Sequence, residues 1–484
     1  MRNLTVLALA ALGTLSCSNK PSGQPDSGPA GPCAGISGTC VAFTAGTSTE
    51  ADIQSAFNQA APNTTLAFGP GTFSFQNTLN LANQANITVL GAGISGANVT
   101  TLDFSGQSAG ADGLDAQGCN GLILFNFMVQ NSKGNAFKVE QSQDVIMESI
   151  FANWTTAAQT SNGPYGIYPI GVTNLLVENS KSSGASDSGF YIGQSTNVIV
   201  RNNEAFGNVA GIEIENTYGA DVYDNNSHDN TAGILVFDLP DLPQQGGNHI
   251  HVHDNQIAHN NTVNFGASGD IVSQVPAGTG FFVMANHDVE VDHNTVTDSN
   301  TVCMGVISYY AAQLPIDDPR YYPFPHDIWL HDNSVSGSGT SPDPSVPMGS
   351  LLLSGQSGFP GGHGPDLVWD GFTDPAWARD AGTLYLSDGG LNPNPADICF
   401  ENNGAGATFV NVNLEDLVIC GTRLDAGVDG GPYYNAAYAD GGACTTSALT
   451  NLAAVQSFDI TPFDCGGLTL PPIDAGVSFP DAGL

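Results

Sequence analysis

A chain of 484 residues with 9 basic side chains against 46 acidic ones carries a formal charge of −37. That balance excludes nucleic acid and anionic membrane surfaces as partners, because both select a basic face. Hydrophobic residues at 41 % suffice for a core, and 59 glycines with 28 prolines make the chain turn-rich rather than disordered.

Residues 1–17 read as a lipoprotein-type signal peptide. Arg2 gives a thin positive start, and the apolar run from Leu4 to Leu12 is too short to span a bilayer. Gly13-Thr14-Leu15-Ser16-Cys17 resembles a bacterial lipoprotein processing site, with Thr14 where Leu is commonest. The resemblance implies lipidation of Cys17, and Ser18 after it implies sorting to the outer membrane; plain secretion is the alternative. Contact with membrane is expected only through that anchor. Residues 18–47 read as a flexible tether. Eight further cysteines, at 33, 40, 119, 303, 399, 420, 444 and 465, are expected to form disulfides in an oxidising compartment. Cys33 and Cys40 would close a short loop, and the last four would staple the C-terminal region.

Thr49 to Ala60 has helical spacing behind a Thr cap and is expected to cover the first coil of a repeat region. Beyond Ala60 short alternating strands recur. Asn174-Leu-Leu-Val-Glu-Asn returns as Asn197-Val-Ile-Val-Arg-Asn, then as Asp288-Val-Glu-Val-Asp-His and Asp327-Ile-Trp-Leu-His-Asp. Spacings of 23 residues alternate with longer ones that carry insertions. Strands this short cannot bury a face alone, but stacked coils share one core. Asn203, Asn226, Asn255, Asn294, Asn333 and Asn403 fall at one offset in their units, which predicts an Asn ladder along the stack.

Residues 163–171 (GPYGIYPIG), 184–195 (GASDSGFYIGQS) and 210–217 (AGIEIENT), with 233–240 and 276–280, resemble a bacterial family of exported parallel β-helix repeat proteins. The likeness covers about residues 48–420 and implies an all-β, right-handed, pectin-lyase-like solenoid of about ten coils. It implies a fold and no activity. Residues 421–484 form a Gly/Asp-rich tail.

Putting second strands in register sends Ile212 and Ile214 inward and Glu213 and Glu215 outward. Lys138, Tyr168 and Tyr191 then stack on Glu213, and Gln141, Gln194, Asn216 and Asp238 form a column at the strand end, with Asp187 before the same face. Walled by insertions at 151–165, 239–248, 256–279 and 309–326, this is expected to be an exposed strip for a polysaccharide. Tyr168 and Tyr191 would stack sugars, and Lys138, Gln194, Asn216 and Asp238 would bind substrate polar groups. Glu213 and Glu215 would divide acid and base roles, beside Asp187, in a lyase, epimerase or hydrolase. Basic side chains are scarce for a uronic acid substrate. Ca2+ could substitute, though no calcium loop is recognisable. Pro325-His326-Asp327 partly resembles a segment of mannuronan epimerases. Two alternatives stand beside this reading. One is a monomeric cell-envelope scaffold or adhesion protein that binds a protein partner. The other is a metal-handling β-helix using His251, His253, Glu290 and Asp292.

Overall fold

The protein is described by a computed structural model over residues 31–156, 158–312, 314–372, 374 and 396–412. Leu122, Val145, Leu175, Val198, Ala220 and Ile250 stand in one register column and are all buried. Branched side chains of this kind suit a pleated surface, and burying each contributes roughly 1.5–3 kcal/mol. Columns like this one, facing inward from three sides, make a single continuous core.

Three parallel sheets carry those columns. One has twelve strands, from Thr39–Phe43 to Ile398–Glu401; one has ten, from Gly71–Ser74 to Ser334–Ser336; one has eleven, from Leu79–Ala82 to Phe409–Asn411. Each coil takes one strand from each sheet in turn, as in Asn120–Phe125, Met128–Gln130 and Phe137–Glu140. The architecture is a right-handed parallel β-helix. Asn174, Asn197, Gly219, His249, Asp288 and Asp327, at the entries to the twelve-stranded sheet, all have positive φ. Asn, Asp and Gly tolerate that backbone, which explains why they recur in the sequence. No helix among the described residues is long and apolar enough to cross a membrane.

Part of the expected tether is structured. Thr39–Phe43 pairs in parallel with Thr64–Phe68, and Cys33 is bonded to Cys40. The strand is held because Phe43 is buried 4.7 Å from Phe68. Helix Glu50–Gln59 follows, with a capping box between Thr49 and Asp52, and buries Ile53 and Phe57. Cys399 is also disulfide-bonded. Cys119 and Cys303, expected to be paired, are free thiols. Both are buried in the core, where they act as small apolar fillers. Residues 1–30 and 413–484, with the signal peptide, Cys17 and the tail, lie outside the described residues.

The Asn ladder exists with one correction. Asn203, Asn225, Asn255, Asn294, Asn333 and Asn403 form it, each amide donating to the next at 2.8–3.0 Å. Asn226 is exposed and outside it. The unit containing it starts at Gly219, aligned with Asn197, rather than at Ala220. A second ladder, Asn208, Asn230 and Asn260, runs along another corner. Asn255→Ala would strand the Asn225 amide and the Val222 carbonyl in the core. Urea unfolding should show a loss on the order of 3 kcal/mol, whereas Asn226→Ala should change stability by less than about 0.5 kcal/mol.

Candidate functional site: a buried carboxyl cluster beside an open groove

The eleven-stranded sheet places the expected residues in the expected register. Lys138 pairs with Tyr168, Tyr191 with Glu213, Glu213 with Leu235 and Leu235 with Phe282. The next outward column runs from Gly193 through Glu215 and Phe237 to Met284. Gln141, Gln194 and Asn216 follow their strands, each with positive φ.

The strip is not exposed, and this corrects the reading of Glu213, Glu215, Asp187 and Asp238 as solvent-facing groups. Their relative exposures are 0 %, 3 %, 4 % and 0 %. Outward-facing Leu235, Phe237, Phe282 and Met284 are apolar and must be covered. The insertions and the helix Pro347–Gly355 cover them: Val272, Val275, Tyr309, Tyr321, Phe324 and Leu352 pack on this face as a second apolar core. The insertions therefore roof the sheet more than they wall a cleft. Asn216 and Asp238 serve the roof. Asn216 donates to the carbonyls of Leu239 and Gln244, and Asp238 accepts from the Gly247 N–H at 2.8 Å.

At the roof's edge the acids gather in one cluster. Ser188 Oγ contacts both Asp187 Oδ1, at 2.8 Å, and Glu213 Oε2. A hydroxyl has one proton, so at least one of these carboxyl groups must itself be protonated and donate to Ser188. Glu213 and Glu215 neighbour each other on the strand, and Tyr191 donates to Glu215. Gln194 donates to Tyr191 at 3.2 Å and to Glu215 at 3.4 Å. Burial is the leading cause that holds Asp187 and Glu213 well above the usual carboxylate range, with the neighbouring carboxylate adding to it. Glu215 is pushed up to about 8 and Asp238 to about 7, again chiefly by burial. The cluster therefore holds protons at neutral pH.

Beside it the sheet opens. A groove of about 510 Å³ is lined by Glu140, Gln141, Gln194, Tyr218, Gln244 and Arg320, among others. Gln194 belongs to both groove and cluster. Tyr165, Tyr168 and Tyr191 pack together with ring centroids 4.5–5.1 Å apart, and Tyr168 keeps a partly exposed edge. Lys138 is paired with Glu140 at 2.7 Å, and Arg320 is held by Asp318 at 2.6 Å. Tyr165, Ser188, Tyr218 and Arg320 were missed in the sequence. Tyr165 and Arg320 lie in loops without a register, although Tyr165 stands three residues before Tyr168.

The histidine strand lies on the twelve-stranded sheet, a different face. His251 pairs in register with Glu290 and His253 with Asp292. His251 Nε2 is 2.7 Å from Asp292, so three of the four expected ligands, His251, Glu290 and Asp292, do converge. His253 turns instead to Asp221, at 3.0 Å. Glu290 also engages His331, at 3.1 Å. His326 and Asp327 are on this sheet too, bonded to each other at 2.7 Å and apart from the carboxyl cluster.

The cluster makes stability depend on pH. Below 4.5, the ordinary Glu value, folded and unfolded chains both hold the Glu215 proton and its full stabilisation is present. As pH rises toward about 8, only the unfolded chain ionises, and the contribution is lost. The thermal unfolding temperature should therefore fall between pH 4.5 and 8. Glu215→Gln, which cannot ionise, should flatten much of that decline.

Residues 112–257 and 158–317 match the family model described as a right handed beta helix region. No curated protein matches the sequence. Solved structures similar to the chain include a mannuronan C-5 epimerase A-module of Azotobacter vinelandii, at 16 % identity and a TM-score of 0.43, covering 61 % of this chain and 86 % of that one. An alginate lyase of Paenibacillus sp. str. FPU-7 has 14 % identity and a TM-score of 0.41, over 62 % and 94 %. An exopolygalacturonase of Thermotoga maritima has 12 % identity and a TM-score of 0.40, over 57 % and 76 %. With its central coils matched by that model and three parallel sheets wound around one core, the chain folds as a right-handed parallel β-helix.

Proposed function

We propose that the protein recognises a polysaccharide along the open coils of the eleven-stranded sheet, with the groove between Glu140 and Arg320 as its main subsite. The groove carries this reading. It offers amides, a carboxylate, a guanidinium and a phenol in one open channel, next to a packed tyrosine trio. Sugars present flat C–H faces to aromatic rings and hydroxyls to amides and carboxylates.

Processing of the bound chain, by lyase, epimerase or hydrolase chemistry, would draw on Glu215. It keeps a proton at neutral pH and is hydrogen-bonded to Gln194 of the groove wall. A proton donor of that kind is what cleavage or epimerisation next to a glycosidic oxygen needs. Lys138 is paired with Glu140 and Arg320 with Asp318, and of the two only Arg320 lines the groove where a uronate would lie.

Export belongs to the same proposal, since polysaccharides of this kind are met outside the cytoplasm. The Cys33–Cys40 disulfide supports an oxidising compartment. Fatty-acid labelling should mark the mature protein and vanish in Cys17→Ala.

A panel of neutral and acidic polysaccharides, with and without calcium, tests the function. Tyr168→Ala and Gln194→Ala should each weaken binding of the responsive sugar about tenfold. If new reducing ends appear, Glu215→Gln should slow them by roughly 100-fold or more while binding persists. Reducing ends together with an ultraviolet-absorbing product would mark a lyase. Absence of both binding and turnover across the panel would overturn the reading and favour the scaffold.

A further inference from the structure

On the outer face of the twelve-stranded sheet, Asp221 lies one coil from His251 and diagonal to His253. Asp221 Oδ1 is 3.0 Å from His253 Nε2 and 3.6 Å from His251 Nδ1. Ligand atoms about 2.0–2.1 Å from a tetrahedral zinc stand about 3.3 Å from one another, so these separations frame such an ion. The three atoms lie within 4.8 Å of each other.

The remaining ring nitrogens decide the matter. His251 Nε2 is 2.7 Å from Asp292 Oδ1, and His253 Nδ1 is 2.8 Å from Asp254 Oδ2. Each imidazole thus faces the common point with one nitrogen while a carboxylate holds the other. That is the arrangement by which proteins fix the tautomer and the basicity of metal-bound histidines. The two rings also stack, with centroids 4.1 Å apart, and Tyr223 stacks on His253 at 4.9 Å. All three donors project from strands of one continuous ladder, so little ordering is left to pay on binding.

We propose that Asp221, His251 and His253 form a binding site for a divalent transition metal of the zinc class. Two imidazoles and one carboxylate suit zinc better than calcium, which prefers oxygen alone. The side chains are 19–30 % exposed, so the fourth position is open to water. His251, Glu290 and Asp292 make a competing group. It is weaker, with one nitrogen donor, and its acids are engaged: Glu290 by His331, and Asp292 by both His251 and His293. In this assignment Asp292 and Asp254 are positioning residues, and Glu290 is no ligand.

Untagged full-length protein, stripped with a chelator and titrated with Zn2+ by calorimetry, should take up one ion at this site. Co2+ in its place should give the intense visible absorption of a tetrahedral complex. Asp221→Asn and His253→Gln should each abolish that band. Asp292→Asn should weaken Zn2+ binding by about 10–100-fold, and Glu290→Gln should leave it unchanged. Circular dichroism of each variant reports that the fold is retained, and the wild-type titration stands even if a variant fails to fold. No stoichiometric Zn2+ uptake by the wild type would overturn the assignment. So would a Co2+ band that survives Asp221→Asn and disappears in Glu290→Gln.

Discussion

Everything in this molecule depends on the lateral register of parallel strands. One coil repeats over the next with no sideways slip, so a side chain's neighbours are set by its column rather than by its distance along the chain. The Asn ladder enforces that alignment. Each amide bonds both to the next amide and to backbone, as Asn255 does to Asn294 and to the Val222 carbonyl. A slip of one residue would break every rung at once and turn the valine and isoleucine columns outward. Precise columns are what allow Asp221 to meet His253, and Ser188 to meet Glu213, across one coil.

The same register builds chemistry of two opposite kinds. On the eleven-stranded sheet, acids sit beside one another among tyrosine and apolar neighbours and are then covered, so burial favours their neutral form. On the twelve-stranded sheet, acids are interleaved with histidines and stay half open to water, so opposite charges attract. Burial and partner, rather than residue type, decide which behaviour a carboxyl group shows. Asp292 lies well below the usual range, at about 2, despite partial burial, because His251 and His293 hydrogen-bond to it.

Much of this was readable from the residues. A period of two gave the inward and outward faces of Ala210–Glu215 correctly, and the repeat aligned Lys138, Tyr168, Tyr191 and Glu213 as they stand. The ladder was off by one at Asn226 because the unit opens on a glycine, where the others open on Asn, Asp or His. The second ladder was also written in the chain: Asn208, Asn230 and Asn260 each follow a rung of the first by five residues. What the period could not supply was cover. Outward is not the same as exposed, and the insertions that bury Glu213 and Glu215 carry no repeat. Their docking is a tertiary event between segments without a shared register. Asp221 was missed for a simpler reason. It stands one coil before His251, in the unit whose start was displaced by one residue, so the alignment set a different residue beside the histidines.

The roof gives the sheet two unlike ends. Its outer face is partly open over Asp115, Lys138 and Tyr168, then closed over Leu235 and Phe282. A linear occupant lying along the coil axis would meet open surface at one end and a hydrophobic barrier at the other. The fold therefore resembles a berth with a buffer stop rather than a through channel. Under the proposed function, such a face would favour the terminus of a chain, and so its direction, over an internal stretch of it.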